Sequence, residues 1–205
     1  MKRIGYAMLA VFMFGAMLVG CGSVDSENNL IFVGKKGQVQ TIDIETFDKA
    51  HYSQADFESY AKEAIDAYNN SHEADAVTLK AFTVEGDVAK LKMSYQSTAD
   101  FSEFNEVVLY HGSIAAAVSD GYLFDVAFSK VEKGEVTGSA TRADILAEDG
   151  LSVVIIKANT NVQVDGNIHY VSTQNVTVTA KDVVSIQDEE NPSFESEVCT
   201  YIIYK

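Results

Sequence analysis

The chain has 205 residues, with 30 acidic against 15 basic side chains, and 47% of its residues are hydrophobic. It is long enough to bury a sizeable core in one domain. A formal net charge of −15 excludes nucleic acid as a partner, because no excess of basic side chains is present to displace counterions from phosphates.

Lys2 and Arg3 precede an uncharged run from Ile4 to Gly20, and small residues follow just before the sequence turns polar. This order of basic, apolar and cleavage regions marks a secretory signal. Seventeen uncharged residues would span only about 26 Å as a helix, short of a hydrocarbon core of roughly 30 Å, so a transmembrane span is marginal. Leu18-Val19-Gly20-Cys21 resembles the lipobox of bacterial lipoproteins. The resemblance implies cleavage just before Cys21 and a diacylglycerol on its thiol, so that membrane lipid is a partner through Cys21 and the protein is lipid-anchored on the extracytoplasmic face of the cell membrane.

Removing residues 1–20 leaves 185 residues carrying 13 basic and 30 acidic side chains, a net of −17. That charge argues against lying flat on an anionic membrane. Residues 21–29 are polar and without hydrophobic period, and read as a short lipidated tether on which the domain would stand off the bilayer. With Cys21 acylated, Cys199 is left without a partner, so no structural disulfide is expected.

Residues 30–205 are expected to form a single α+β domain, with a sub-boundary conceivable only near 134–150. Leu30 to Val33 and Val39 to Ile44 are β-branched runs about a Gly34 to Gly37 turn, which predicts a hairpin. From Gln54 to Asn70, Phe57, Tyr60, Ala61, Ala64, Ile65 and Tyr68 recur at three- and four-residue steps, predicting one long amphipathic helix. Ser53 with Asp56 supplies its capping box, and Tyr52 with Phe57 has the spacing of a hydrophobic staple. Val77 to Val84 and Val88 to Tyr95 alternate as antiparallel strands with one wet face.

Ser97 with Asp100 caps a short helix near 98–106, and the Ala-rich stretch 113–119 predicts another. Tyr122, Phe124, Val126 and Phe128 alternate as one face of a strand. Lys133-Gly134 and Gly138-Ser139 bracket loop sequence, after which Thr141 with Asp144 caps a turn at 142–148.

The C-terminal part is strand-rich. Val153 to Ile156 reads as a central strand, and Val162 to Val164 with Ile168 to Val171 flank Asp165-Gly166-Asn167, the strongest hairpin turn in the chain because Asp-Gly accepts positive φ. Strands are also expected over 175–180, 183–187 and 197–204. The sheet is expected to be largely antiparallel, or mixed.

Motifs for chemistry are weak, and no catalytic residue, metal ligand set or cofactor is assigned. His51, His72, His111 and His169 are scattered, and His72-Glu73 lacks the second histidine at position 76 that a zinc-protease helix needs. Ser59-Tyr60-Ala61-Lys62 fits the S-x-x-K pattern of penicillin-binding enzymes, yet the accompanying box is missing, since Ser119-Asp120-Gly121 is not Ser-Asp-Asn. Asp188-Glu189-Glu190-Asn191 has oxygen ligands suited to Ca²⁺ without the alternating spacing of an EF-hand, and reads first as a solvated acidic loop. Cys199, in strand sequence, reads as a small buried apolar residue. The absence of Trp counts against sugar stacking, although ten Tyr are available.

The stretch from Phe101-Ser102-Glu103-Phe104-Asn105-Glu106-Val107 through Gly112 and Gly121-Tyr122, with Asn161 to Ser172 later, resembles uncharacterised lipoproteins of gut clostridia. The resemblance implies an envelope location and a Gram-positive host, and brings neither a function nor a site. The first expectation is therefore a surface-anchored, non-enzymatic protein with a binding or assembly role, its partner an envelope protein or a small ligand. The alternatives are a small-ligand-binding lipoprotein whose pocket is lined by Tyr60, Tyr68, Tyr95, Tyr110 and Tyr122, and an envelope hydrolase without recognisable motif.

Overall fold

The structure, a computed structural model, describes residues 24–49 and 52–205. The signal segment, Cys21 and His51 lie outside the described residues. The chain is α+β, and its elements run β1 (Leu30–Val33), β2 (Val39–Thr46), α1 (Gln54–Ser71), β3 (Val77–Glu85), β4 (Val88–Tyr95), α2 (Thr98–Asn105), β5 (Leu109–Ser113) and α3 (Ile114–Ser119). They continue with β6 (Phe128–Glu132), β7 (Glu135–Ala140), α4 (Arg142–Leu146), β8 (Ser152–Ala158), β9 (Asn161–Val164), β10 (Ile168–Ser172), β11 (Val176–Ala180), β12 (Val183–Ile186) and β13 (Glu195–Tyr204).

The strands form two sheets where one was expected. Sheet A has seven strands in the order β11-β12-β9-β1-β2-β4-β3, and sheet B has six in the order β5-β8-β13-β10-β6-β7. All neighbours are antiparallel except β1 and β9, which pair in parallel from Leu30 opposite Asn161 to Val33 opposite Val164. Each sheet mixes strands from before and after residues 134–150.

Two sheets follow from apolar side chains on both faces of the central strands. Along β8, Val154 and Ile156 join Ile31, Val33, Val39, Met93, Val162 and Ile202 in a core between the sheets, whereas Val153 and Ile155 join Phe124, Phe128, Ile145, Tyr201 and Ile203 in a second core. That outer core is roofed by Ile114 and Ala117 of α3 and Ile145 of α4. A strand apolar on alternate faces needs a cover on each, here sheet A on one side and short helices on the other.

Helices α1 and α2 cover the inner side of β3 and β4 where sheet B does not reach. Phe57 stacks on Phe82 with centroids 4.4 Å apart, and Phe101 meets Tyr95 edge-on at 5.2 Å. Within α1 only Ile65 is fully buried, and Tyr60, expected in the apolar stripe, is 71% exposed. The predicted N-caps form, Ser53 accepting from Asp56 N and Ser97 from Asp100 N, but the full capping box expected at both is completed only at Thr141 with Asp144.

Three local expectations are corrected. Residues 122–127 are not a strand, because Phe124 adopts φ of 53° and turns its ring into the outer core, where it is wholly buried. Lys133-Gly134 is a tight turn of the β6–β7 hairpin, so Gly138-Ser139 lies within a strand and not in a loop. Asp165-Gly166-Asn167 is no hairpin turn: β9 lies in sheet A and β10 in sheet B, so the segment crosses between layers. Its bonds go to other elements, Asp165 N to Val33 O, Asn167 N to Lys205 O and Lys205 N to Asn167 O. What Gly166 supplies there is the absence of a side chain, since a Cβ would sit 2.5 Å from the Lys205 carbonyl oxygen.

The polar stretch before β1 is fixed over residues 24–29. Val24 N donates to Gln40 Oε1, Lys90 Nζ and Lys92 Nζ both donate to Asp25 Oδ1 at 2.8 and 2.9 Å, and Ile44 N donates to Asn29 Oδ1. The segment thus lies across the face of sheet A that points away from sheet B.

Candidate functional site

At one end of the sandwich the chain forms a groove of mixed lining, in which amides and carboxylates sit beside Ile44, Ile186 and Pro192. Its walls are the docked residues Glu27 to Asn29, the β8–β9 turn Asn159-Thr160-Asn161, the end of β12 at Ser185 to Gln187, and the loop Asp188, Glu189 and Pro192. It encloses about 580 Å³. A second recess of about 590 Å³ lies on the β11 side of Gln187 to Glu189, lined also by Gln174, Asn175 and Thr177. A third, of about 480 Å³, shares Asn29, Asn159 and Pro192 and runs inward to Thr41, Asp43 and Asn105.

Asn159 holds this end together. Its N–H donates to Phe194 O at 2.7 Å, its Nδ2 donates to Asn191 O and Ser193 O, and its Oδ1 accepts from Asp188 N. One side chain therefore carries the acidic loop on three hydrogen bonds. Asn161 Nδ2 donates to Asn29 O at 2.8 Å, tying the groove's opposite wall to β9. The strands end here because Ile186 N turns to Thr160 O and Gln187 N to Asn175 O, leaving the loop beyond β12 to bridge to β13.

None of the residues lining the three recesses is Lys, Arg or His. The walls carry amides, which both donate and accept, and carboxylates, which accept. Such a surface suits neutral or cationic polar groups and repels anions. In the inner recess, burial raises the Asp43 carboxyl above its ordinary range, opposed by a hydrogen bond from Thr41 Oγ1 at 3.0 Å and reinforced by nearby Glu45. Burial also pushes the Tyr95 phenol, which donates to Asn105 Oδ1, up to about 12.

The residues singled out in the sequence do not converge. Ser59 and Lys62 are both exposed on α1. His72 caps the C-terminus of α1, stacked on Tyr68 at 3.8 Å, with Nε2 on Glu103 Oε1. His169 lies on β10 beside a separate recess with Lys133 and Lys181. His111 on β5 is at the end of the sandwich near Gly37 and Tyr204, and among the described residues neither its Nε2 nor the Tyr204 hydroxyl has a hydrogen-bond partner. Cys199 is half-buried, packed against the outer core, and burial raises its thiol.

The five tyrosines divide between places: Tyr110 pairs with Tyr122 at 4.9 Å in the outer core, Tyr68 and Tyr95 both meet Phe104, and Tyr60 is exposed. None lines the three recesses. In the acidic loop, Asp188 Oδ1 accepts from Glu190 N and Asn191 N, and among the described residues no three His, Cys, Asp or Glu converge as metal ligands.

Sequence reasoning reached the loop 188–191 but missed Asn29, Asn159 and Asn161. Their signal is the pairing Asn28-Asn29 and Asn159-Thr160-Asn161, a composition shared with ordinary turns, where Asn is common. Comparison of the chain with protein families, curated proteins and solved structures finds no match.

Proposed function

We propose that this chain is a lipid-anchored bacterial envelope protein, held through Cys21, whose domain binds a polar, uncharged or amine-bearing ligand in the groove between residues 27–29, 159–161 and 185–192. The observation that carries the binding reading is the composition of those walls: amides and carboxylates around a recess of about 580 Å³, with no basic residue among them. Recognition there rests on hydrogen bonds and charge, not on ring stacking. The anchoring reading is supported by the basic pair, apolar run and Leu18 to Cys21 box.

Thermal unfolding of residues 22–205 against short peptides bearing free amino groups, cell-wall fragments and acidic peptides tests the groove. A ligand at a hundred times its dissociation constant adds about 2.7 kcal/mol, a midpoint shift of several degrees. The amine-bearing class is expected to shift the midpoint in the parent and not in Gln187→Lys, which places a cation in the groove. A shift with acidic peptides alone, or one that Gln187→Lys leaves intact, overturns the assignment. Intact-mass measurement of the membrane-extracted chain and of Cys21→Ser tests the anchor.

A further inference from the structure

The alternation fixed by the strand registers assigns each residue of sheet A to a face. Leu30 pairs with Ile42 and Asn161, Ile42 with Lys92, Ala81 with Lys92, and Asn161 with Ser185, so these positions share the face turned away from sheet B. On that face the outward positions of β1, β2, β4, β9, β11 and β12 carry no carboxylate, and on β3 only Glu85 does, at the strand end. In a chain with 30 acidic side chains this face is set apart.

The segment from Val24 to Asn29 is fastened to the same face. Asp25 is its main clamp: one carboxylate accepts from two ammonium groups, Lys90 and Lys92, with Glu27 and Glu85 also close enough to act on Lys90. Those two lysines, each about a quarter exposed, hold the Asp25 carboxyl well below the usual range. Leu30 and Ile42, only 6% and 2% exposed on this face, belong to neither core, and the docked segment passes beside them.

Only two residues, Gly22 and Ser23, separate Cys21 from Val24. Fully extended, the three steps from Cys21 to Val24 reach about 10 Å. We infer that the outer face of sheet A is the surface that lies against the lipid headgroups. The partner is the bilayer that receives the Cys21 lipid, and the domain lies down on it, sheet A inward, with α3 and α4 pointing away. This rests on the anchoring reading above and deepens it. The strongly negative chain does not bar this orientation, because the carboxylates on this face are few, Asp25, Glu27 and Glu85, and lie beside Lys90 and Lys92, while repulsion from those beyond about 10 Å is screened at physiological salt.

The test uses the acylated full chain in vesicles of phosphatidylglycerol and phosphatidylcholine containing a headgroup nitroxide quencher. A fluorophore is placed in turn on Thr83→Cys, exposed on the outer face of sheet A, and on Leu123→Cys, 67% exposed beside Arg142 of α4, each in a Cys199→Ala background. Quenching is expected to be several-fold greater at position 83 than at 123, and the contrast to shrink in Asp25→Asn, which unfastens the segment. Equal quenching at both positions, or more at 123, in a preparation whose mass confirms the acyl group overturns the orientation alone. A missing acyl mass overturns the anchoring reading and this orientation with it. Circular dichroism of each labelled chain, unchanged from the parent, establishes that the contrast reports orientation and not unfolding.

Discussion

Ile155 and Ile156 are neighbours in β8, both wholly buried, and each belongs to a different core. Ile155→Val and Ile156→Val are each expected to cost about 0.5–1.5 kcal/mol. Because the side chains point to opposite faces and share no core, the double variant should lose the sum to within about 0.5 kcal/mol. Denaturant unfolding of the four proteins measures this, and a coupling well above that margin would mean that the two cores are not independent.

Asn159 holds the 188–194 loop to the β8–β9 turn through three side-chain hydrogen bonds. Asn159→Ala removes three side-chain hydrogen bonds and leaves their exposed partners to water, so the expected cost is about 1–3 kcal/mol. The sharper readout is hydrogen exchange: amides of 188–194 should exchange faster while those of β8 and β13 stay protected. Uniform acceleration across the domain would contradict a local role.

Gly166→Ala is expected to destabilise by about 1–3 kcal/mol, because the new Cβ would meet the Lys205 carbonyl and the Tyr204 ring, and backbone must move to admit it. Thermal unfolding with a lowered midpoint is the expected result. Tyr204→Phe, by contrast, should be neutral or mildly stabilising, since it removes a buried hydroxyl that has no partner among the described residues and keeps the ring.

His72 and His111 respond to pH in opposite directions. The His72 ring faces the Tyr68 carbonyl through Nδ1 at 2.9 Å and Glu103 through Nε2 at 3.1 Å, with Ser71 and Asp100 also near, and the carbonyl contact leads in raising its pKa. Two acceptors want two N–H donors, so the imidazolium fits best. With the folded value raised, the contribution is fully present below the unfolded value of about 6.5 and is lost as pH rises through the folded value. Burial lowers the His111 pKa, so its neutral form is favoured and stability falls as pH drops below about 6.5. His72→Gln should therefore deepen the net loss on acidification, read by denaturant unfolding at several pH values with imidazole proton shifts assigned to each ring.

Elements set by nearest neighbours were legible in the sequence. The caps at Ser53, Ser97 and Thr141 act within three residues, and the hairpins β1–β2, β3–β4 and β11–β12 join strands adjacent in the chain. Elements decided by distant contacts were not. Asp165-Gly166-Asn167 has hairpin composition, yet Lys205 and Val33 determine its path, and the alternation of Tyr122 to Phe128 yields to Phe124 filling the outer core. Of the candidate groove, the acidic loop was visible as a charge run. Its amide walls come from three separated segments, which the parallel pairing of β1 with β9 and the antiparallel pairing of β9 with β12 bring together.

The last strand in chain order, β13, lies inside sheet B between β8 and β10, and the first, β1, is flanked on one side by β9. Hydrogen bonding across this second pair joins Asn161 to Asn29, 132 residues apart. Such distant pairing makes folding slow, because loop closure must precede the contacts that reward it. A nascent chain truncated at residue 150 has neither β9 to complete sheet A nor β13 to complete sheet B. Threaded across a membrane from its N-terminus, the chain would emerge with no early half able to lock, and would acquire its shape only once its final segment arrived.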